Sequence, residues 1–499
     1  MGIIIRQSIK GTVVNYIGSF IGFVTNVFIL TKFLKPEEIG LTRFVYEAAA
    51  LIAGFALLGI TGTAYRFFPY FQSKTNNHNG FFFYLLLLPT IGLFIFIPFF
   101  IIIKEPITAY YIEKSPLIVN YYYWVIFLII FIVFWTALET YSNLLMRIVI
   151  PKFIREVAVR LLLMAFYLLF AFKYLNLDGL VGCFIAVYGF AMLLTLSYVA
   201  RIGPISLKHD FAFIEKPLRK KIRNYTLLLL LSALSGNIII QLDIFMLSSL
   251  KGLSSAGIYS VCFFMGAVVD IPRRSITAIS QPIAAKALKE EDMASANQLY
   301  KKVSLHQLIA GGLIFMLIWI NIDNIFAIIP NGDYYAVGKW VVFFIALSRI
   351  LSVTFNFGDT LISYSKYYYW TLFFTVFITM TGIASNLLLI PIMDITGAAL
   401  ATFITYILAY TVQQWIVLWK IKGNPFSKGI FIFIILILIL FGINYLLPKW
   451  SPNPFVDGIY RTSIIGVITL ISVYKLKISE EITNIFNKIL HKNHTNSDV

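Results

Sequence analysis

Arginines and carboxylates recur inside stretches of this chain that are otherwise hydrocarbon. In the first half these are Arg43, Glu47, Arg66, Glu139 and Arg160; in the second they are Asp243, Asp270, Arg273, Arg274, His306, Arg349 and Asp359. A charged side chain at the centre of a membrane helix costs about 2.5–3.5 kcal/mol on insertion scales, so each is a candidate for function. Arg43 and Glu47 lie four residues apart on one helix face, as do Asp270 and Arg274, and each pair can neutralise itself. Arg349 sits mid-stretch in AVGKWVVFFIALSRILSVTF with no carboxylate at three or four residues. It must face protein, water or an anionic ligand, and it is the first candidate for substrate contact.

Guanidinium groups bind phosphates bidentately and stay charged at any working pH, so a cavity holding several of them suits an anion. Asp243 lies near the middle of SGNIIIQLDIFMLSSL and could hold a coupling cation, H+ or Na+, with oxygens such as those of Asn386 and Thr402. Glu47, Glu139, Asp270 and Asp359 are secondary charged positions. His306 has no second ligand nearby in sequence and reads as a polar residue near the membrane surface. The residues suggest no catalytic set, no metal site and no bound cofactor. No G-x-x-x-x-G-K-[ST] loop occurs, which argues against an ATP-hydrolysing engine and leaves gradients or mass action as the energy source.

The elements that must hold these groups are membrane helices. Hydrophobic residues make up 59% of the 499 and charged ones 13%, about half the charged share of soluble domains. Apolar stretches near the length needed to span hydrocarbon recur from end to end. Fourteen are predicted: 12–34, 41–62, 80–103, 121–146, 156–175, 178–200, 225–249, 256–276, 303–321, 336–364, 367–391, 395–419, 428–447 and 459–476. Pro89, Pro98 and Pro272 fall inside spans. The first stretch is too long for a signal peptide and lacks a small-residue cleavage site, so it reads as a retained helix. Tyr121, Tyr122, Tyr123 and Trp124, like Tyr367, Tyr368, Tyr369 and Trp370, fall at span edges, where interfacial belts form. Cys183 and Cys262 sit in apolar stretches and imply no disulfide framework.

The net charge of +17 belongs to no nucleic-acid module. With the N-terminus inside, most of the 40 Lys and Arg fall in cytoplasmic segments, as the positive-inside rule requires. Two loops dominate: Lys208, Lys216, Arg219, Lys220, Lys221 and Arg223 after the sixth span, and Lys286, Lys289, Lys301 and Lys302 after the eighth. Such segments face anionic phospholipid. The chain also repeats: NVFILTKFLKPEEIGL (26–41) aligns with DIFMLSSLKGLSSAGI (243–258), matching Asn26 to Asp243 and Gly40 to Gly257 at one offset of 217 residues. Near that offset, Gly182 finds Gly397 and Arg147 finds Lys366. Six spans per repeat is even, so the repeats are parallel about an axis along the membrane normal. The expected layout is an N-lobe at 1–205, a basic cytoplasmic linker at 206–224, a C-lobe at 225–422, and two further helices with a cytoplasmic tail at 423–499.

LKPEEIGLTRF (34–44), ALLGITGTAYRFFPYF (56–71), SSAGIYS (254–260) and TGAALAT (396–402), in this order and on a fourteen-span layout, resemble the multidrug/oligosaccharidyl-lipid/polysaccharide (MOP) exporter superfamily, and within it the Wzx-type polysaccharide flippases. The resemblance implies an all-α polytopic protein of two six-helix lobes plus two C-terminal helices. It implies alternating access that carries an undecaprenyl-pyrophosphate-linked oligosaccharide, an O-antigen or capsule repeat unit, to the outer leaflet of a bacterial inner membrane. A charged sugar-pyrophosphate cannot cross hydrocarbon unaided. Arg43, Arg66, Arg274 and Arg349 would line the basic cavity that passes it, with a polysaccharide polymerase and chain-length machinery as partners. Lipid II flippases share the layout. A cation-coupled multidrug antiporter fits the arginines poorly. An O-antigen ligase or polymerase would need a large extracytoplasmic loop, and the extracytoplasmic loops are all short.

Overall fold

The computed structural model describes residues 2–73, 77–206, 216–236, 238–367, 369–484 and 487, and among these every regular element is a helix. Lys208, Tyr368 and the side chains of Arg6, Lys10, Arg274 and Lys289 lie outside the described residues. Ten helical runs are long and apolar enough to cross a membrane, and an eleventh forms if Lys339–Phe355 and Phe357–Tyr364, bent by 42°, count as one span. The protein is a multi-pass membrane protein. Apolar side chains such as Phe94, Ile102 and Leu438 are exposed on these helices, as hydrocarbon-facing residues must be.

The remaining predicted spans coincide with helix for which length and apolarity alone are not enough. The fifth falls on continuous helix over 149–171 that carries Arg155, Glu156 and Arg160. The seventh corresponds to Lys216–Gly236 and Ile238–Leu250. The eleventh and twelfth, together one of the ten runs above, form Trp370–Ile416, broken at Asp394, whose φ of 52° and ψ of −132° are non-helical.

The second span shows how local chemistry shifts an edge. Pro36 at the first helical position, with Glu37 and Glu38 in the first turn, starts the helix five residues before the apolar run. The Glu38 carboxylate accepts the Lys35 backbone N–H at 2.8 Å. The helix stops at Ala56, and Gly59, at φ 72°, caps a second helix, Ile60–Phe71. One predicted span is thus two helices meeting at a glycine in the left-handed region.

The chain packs into two compact units, one of residues 1–261 with 386–395 and one of 262–385 with 396–499. This division follows packing, whereas the expected lobes follow the repeat. In the first unit Ile60, Phe68, Phe82, Leu85, Leu138 and Tyr141 form one core. In the second, the C-terminal helices Lys428–Leu446 and Pro454–Lys475 bury Phe433, Leu440 and Ile465 against Leu308 and Met316 of Met293–Ile320.

Repeat-related residues meet within the first unit. A Cβ on Gly40 would stand 2.1 Å from the Leu253 carbonyl oxygen, and one on Gly257 would stand 1.8 Å from that of Pro36. Pro36 and Leu253 are separated by the same 217 residues as Gly40 and Gly257. The contact is therefore reciprocal, as between two copies about a local two-fold axis. The repeat-related Asn26 and Asp243 each accept a hydrogen bond from the helix that follows, Asn26 from Arg43 and Asp243 from Tyr259.

The segment after the last span docks on the ninth. Lys302 Nζ lies 2.7 Å from Glu481, and His306 Nε2 is 3.1 Å from Ser479 Oγ. The hydrogen bond from Lys302 pushes the Glu481 carboxyl down to about 2, below the usual carboxylate range of about 4.3. A folded-state value below the unfolded one stabilises docking fully above the unfolded value and is lost as pH falls toward 2. Hydrogen-exchange protection at residues 479–484, taken against the intrinsic rate at each pH, should therefore be full near neutrality and fall over that acid window, and in Glu481→Gln it should be lower at neutrality and lose this pH dependence.

Candidate functional site

In the first unit the charged residues form a network built on two widened helical turns. Thr25–Ile29 and Ile154–Ala158 are π-helical, a geometry that inserts a residue and re-aims side chains. Asn26, in the first, donates to the Gly22 carbonyl at 2.6 Å and accepts from Arg43. Glu47 makes no ion pair with Arg43 among the described residues and instead takes a hydrogen bond from Gln241. The second π turn carries Arg155 and Glu156. Arg155 pairs with Glu139, its Nε 2.8 Å away, and lies over the Trp135 ring at 4.5 Å. Arg160 pairs with Glu156 at 2.7 Å and donates to the Gly18 carbonyl at 2.5 Å.

Arg155 and Glu156 are functional candidates that sequence reasoning missed, because they fall at the predicted edge of the fifth span. The four-residue spacing of Glu156 and Arg160 was the available clue. Arg155 and Arg160 are thus each paired with a glutamate of this cluster. Arg66 lies apart from it on Ile60–Phe71, exposed, its guanidinium 4.2 Å from the Tyr225 ring centre and in no ion pair among the described residues.

Asp243 is 2% exposed. Its Oδ2 accepts from the Tyr259 hydroxyl and its Oδ1 from Asn386 Nδ2 at 2.9 Å. The structure thus brings Asp243 and Asn386 together in the first unit and adds Tyr259, while Thr402 is a buried residue of the second unit.

In the second unit Arg349 is held by aromatic groups. Its Nη1 donates to the Tyr406 hydroxyl at 3.1 Å, and its guanidinium lies 5.6 Å from that ring and 5.2 Å from Phe263. Such cation–π contacts orient the guanidinium. Asp270 pairs with Arg273, three residues on, through contacts of 2.6 and 2.9 Å; the side chain of Arg274, the partner expected from spacing, lies outside the described residues. Arg273 also donates to Asn356 at 3.2 Å. Asp359 is half-buried and makes no ion pair among the described residues. Among the described residues no group of three His, Cys, Asp or Glu could hold a metal ion.

Residues 4–271 match the family model of polysaccharide biosynthesis proteins, more than half of the chain. This protein belongs to that family. The fold of this polysaccharide biosynthesis protein is that of MOP-superfamily transporters. It superposes on the lipid II flippase MurJ in an inward closed conformation with a TM-score of 0.71 at 12% identity, covering 94% of this chain and 100% of that one. An inward-facing multidrug resistance MATE family transporter of the MOP superfamily gives 0.57 at 12% identity, over 83% of this chain and 99% of that one. A mutant of the Vibrio cholerae MATE transporter VcmN gives 0.51 at 11% identity, over 84% and 99%. No curated protein matches the chain significantly. The likeness to solved structures establishes the fold.

Proposed function

We propose that this family member is a flippase that carries an undecaprenyl-pyrophosphate-linked oligosaccharide, an O-antigen or capsule repeat unit, from the cytoplasmic to the outer leaflet of a bacterial inner membrane. Its termini are cytoplasmic, access alternates between a lobe at 1–205 and one at 225–422, and H+ or Na+ at Asp243 and Asn386, with Thr402, is the coupling ion. A polymerase and chain-length machinery receive the product.

The observation that carries this reading is the choice of partners for arginine. Arg43 rests on an amide and Arg66 on an aromatic ring, with no ion pair for either among the described residues. Neutral partners orient a guanidinium while leaving its charge for an anion. The two lie 23 residues apart, on the two helices that meet at Gly59. They are successive stations for a moving headgroup, with Arg274 and Arg349 as the counterparts in the second unit. A ligase or polymerase reading finds no nucleophile and base among these groups, and a cationic drug is repelled by the same arginines.

Arg349→Ala is expected to strand lipid-linked repeat units on the cytoplasmic face and to cut surface glycan at least about tenfold, the loss of one charge-assisted contact. Precursor synthesis and drug susceptibility should not change. Normal delivery of repeat units to the periplasmic face would remove the case for Arg349. Rescue of cells depleted of their lipid II flippase would move the substrate to lipid II.

A further inference from the structure

The first unit holds a cavity of about 340 Å³ that the charged network does not use. It is walled by helix Pro36–Ala56 through Phe44, Ala48 and Ile52, by Phe100 and Tyr122, and by Phe245. Five lining residues carry hydroxyls; Tyr110 is exposed, and the other four turn theirs to partners. The Tyr111 hydroxyl points to the Phe245 carbonyl at 3.4 Å, that of Tyr121 donates to Asp178 at 2.5 Å, and that of Tyr122 to the Phe100 carbonyl at 2.5 Å. The Ser249 hydroxyl is likewise spent on the Met246 carbonyl at 3.1 Å. The rings line the hollow while their oxygens bond elsewhere, so water entering it would find almost no partner, and such a space stays dry.

We infer that this cavity takes the polyisoprenyl chain of the lipid-linked substrate, an inference that rests on the flippase reading above. Size fits: an apolar hollow of about 150 Å³ holds one benzene, so this one holds about two isoprene units. Rigidity favours isoprenoid over a saturated acyl chain. Phe100 and Tyr122 stack at 4.3 Å, and Phe44 is wedged edge-on between Tyr111 and Phe245 at 5.1 and 5.5 Å, so the walls are pre-formed. A chain stiffened by double bonds loses less freedom than a flexible one on entering a fixed hollow. Charge fits as well. Lys104 directly follows the lining residue Ile103, and its ammonium sits 4.4 Å from the Tyr123 ring centre, giving the rim a cation for a phosphate head. Arg43 and Glu47 are interleaved on the same helix with Phe44 and Ala48, which places the headgroup network next to the hollow.

The test uses the purified full chain in nanodiscs and a polyprenyl phosphate carrying a diazirine on one of the two isoprene units next to its phosphate. Photolabel is expected on Ala48, Phe100, Tyr122 and Phe245, and unlabelled polyprenyl phosphate should compete at least about tenfold better than phosphatidylglycerol. Ala48→Trp should fill the hollow and cut the label by about the same factor. Ile52→Trp is the second filling variant should the first fail to fold. Label spread evenly over the lipid-facing helices, or equal competition by phosphatidylglycerol, overturns the inference. Export of repeat units, read separately in cells, distinguishes the two claims: export without cavity label sinks the cavity alone, and absence of export by the wild-type chain sinks the flippase reading.

Discussion

Gly257→Val is expected to lower the unfolding temperature of the detergent-solubilised protein by roughly 6–12 °C, measured by the loss of its monodisperse chromatographic peak on heating. The added Cβ would lie 1.8 Å from the Pro36 carbonyl oxygen and 2.6 Å from its carbon. Those atoms are backbone, so the helices themselves must part. Overpacking typically costs 1–3 kcal/mol, and a backbone obstacle belongs at about 3. Each kcal/mol is worth roughly 2–4 °C in a unit of this size. Gly40→Val should behave alike, because its Cβ meets the Leu253 carbonyl at 2.1 Å. The double variant should lose less than the two single losses combined, since both open one seam. Gly466→Val, whose Cβ meets nothing within 4 Å, is the control. An unchanged melting temperature for Gly257→Val would mean that the repeats do not meet through these glycines.

That seam also shows what could be read from residues alone. Hydropathy located the spans because the cost of burying polar backbone in hydrocarbon leaves long apolar helices as the simplest solution. The constant offset joining Asn26 to Asp243 and Gly40 to Gly257 exposed the repeat, and the structure turned that alignment into a reciprocal contact. Partnerships were harder. Four-residue spacing suggested Arg43 with Glu47, yet Arg43 turns to Asn26 on another helix, and Asp270 finds Arg273 at a spacing of three. Spacing on one helix says which groups can meet, but interhelical packing decides which do. The break at Asp394 falls in the gap predicted between the eleventh and twelfth spans, whereas the break at Gly59 was invisible to a hydropathy window, because an apolar run reads the same whether or not its backbone is interrupted. The dry cavity was invisible for the same reason. Tyr121 and Tyr122 read as an interfacial belt, and only the direction of their hydroxyls shows which side of each ring faces the hollow.

Asp243→Asn should separate a coupling carboxylate from a structural one. The native carboxylate offers two acceptor oxygens to two donors, Tyr259 and Asn386, in a site that is 2% exposed. An asparagine keeps one acceptor and turns an NH2 group toward the other donor, which leaves a buried donor unmet at a cost of about 1–3 kcal/mol. That loss of stability is expected whatever the residue does. Charge is the discriminating quantity: a cation held by Asp243 loses its only formal counter-charge in this set, and loss of one supporting group typically weakens ion binding 10–100-fold. If Asp243 couples transport to H+ or Na+, flipping of lipid-linked oligosaccharide in proteoliposomes should therefore lose its dependence on the ion gradient in Asp243→Asn. Tyr259→Phe removes a donor but keeps the carboxylate, so it should keep that dependence while sharing the stability loss. A variant Asp243→Asn that still responds to the gradient as the wild type does would leave Asp243 as a hydrogen-bonded clamp between its helix, Tyr259 and Asn386, and the coupling group would have to be sought among Glu47, Glu139 and Asp359.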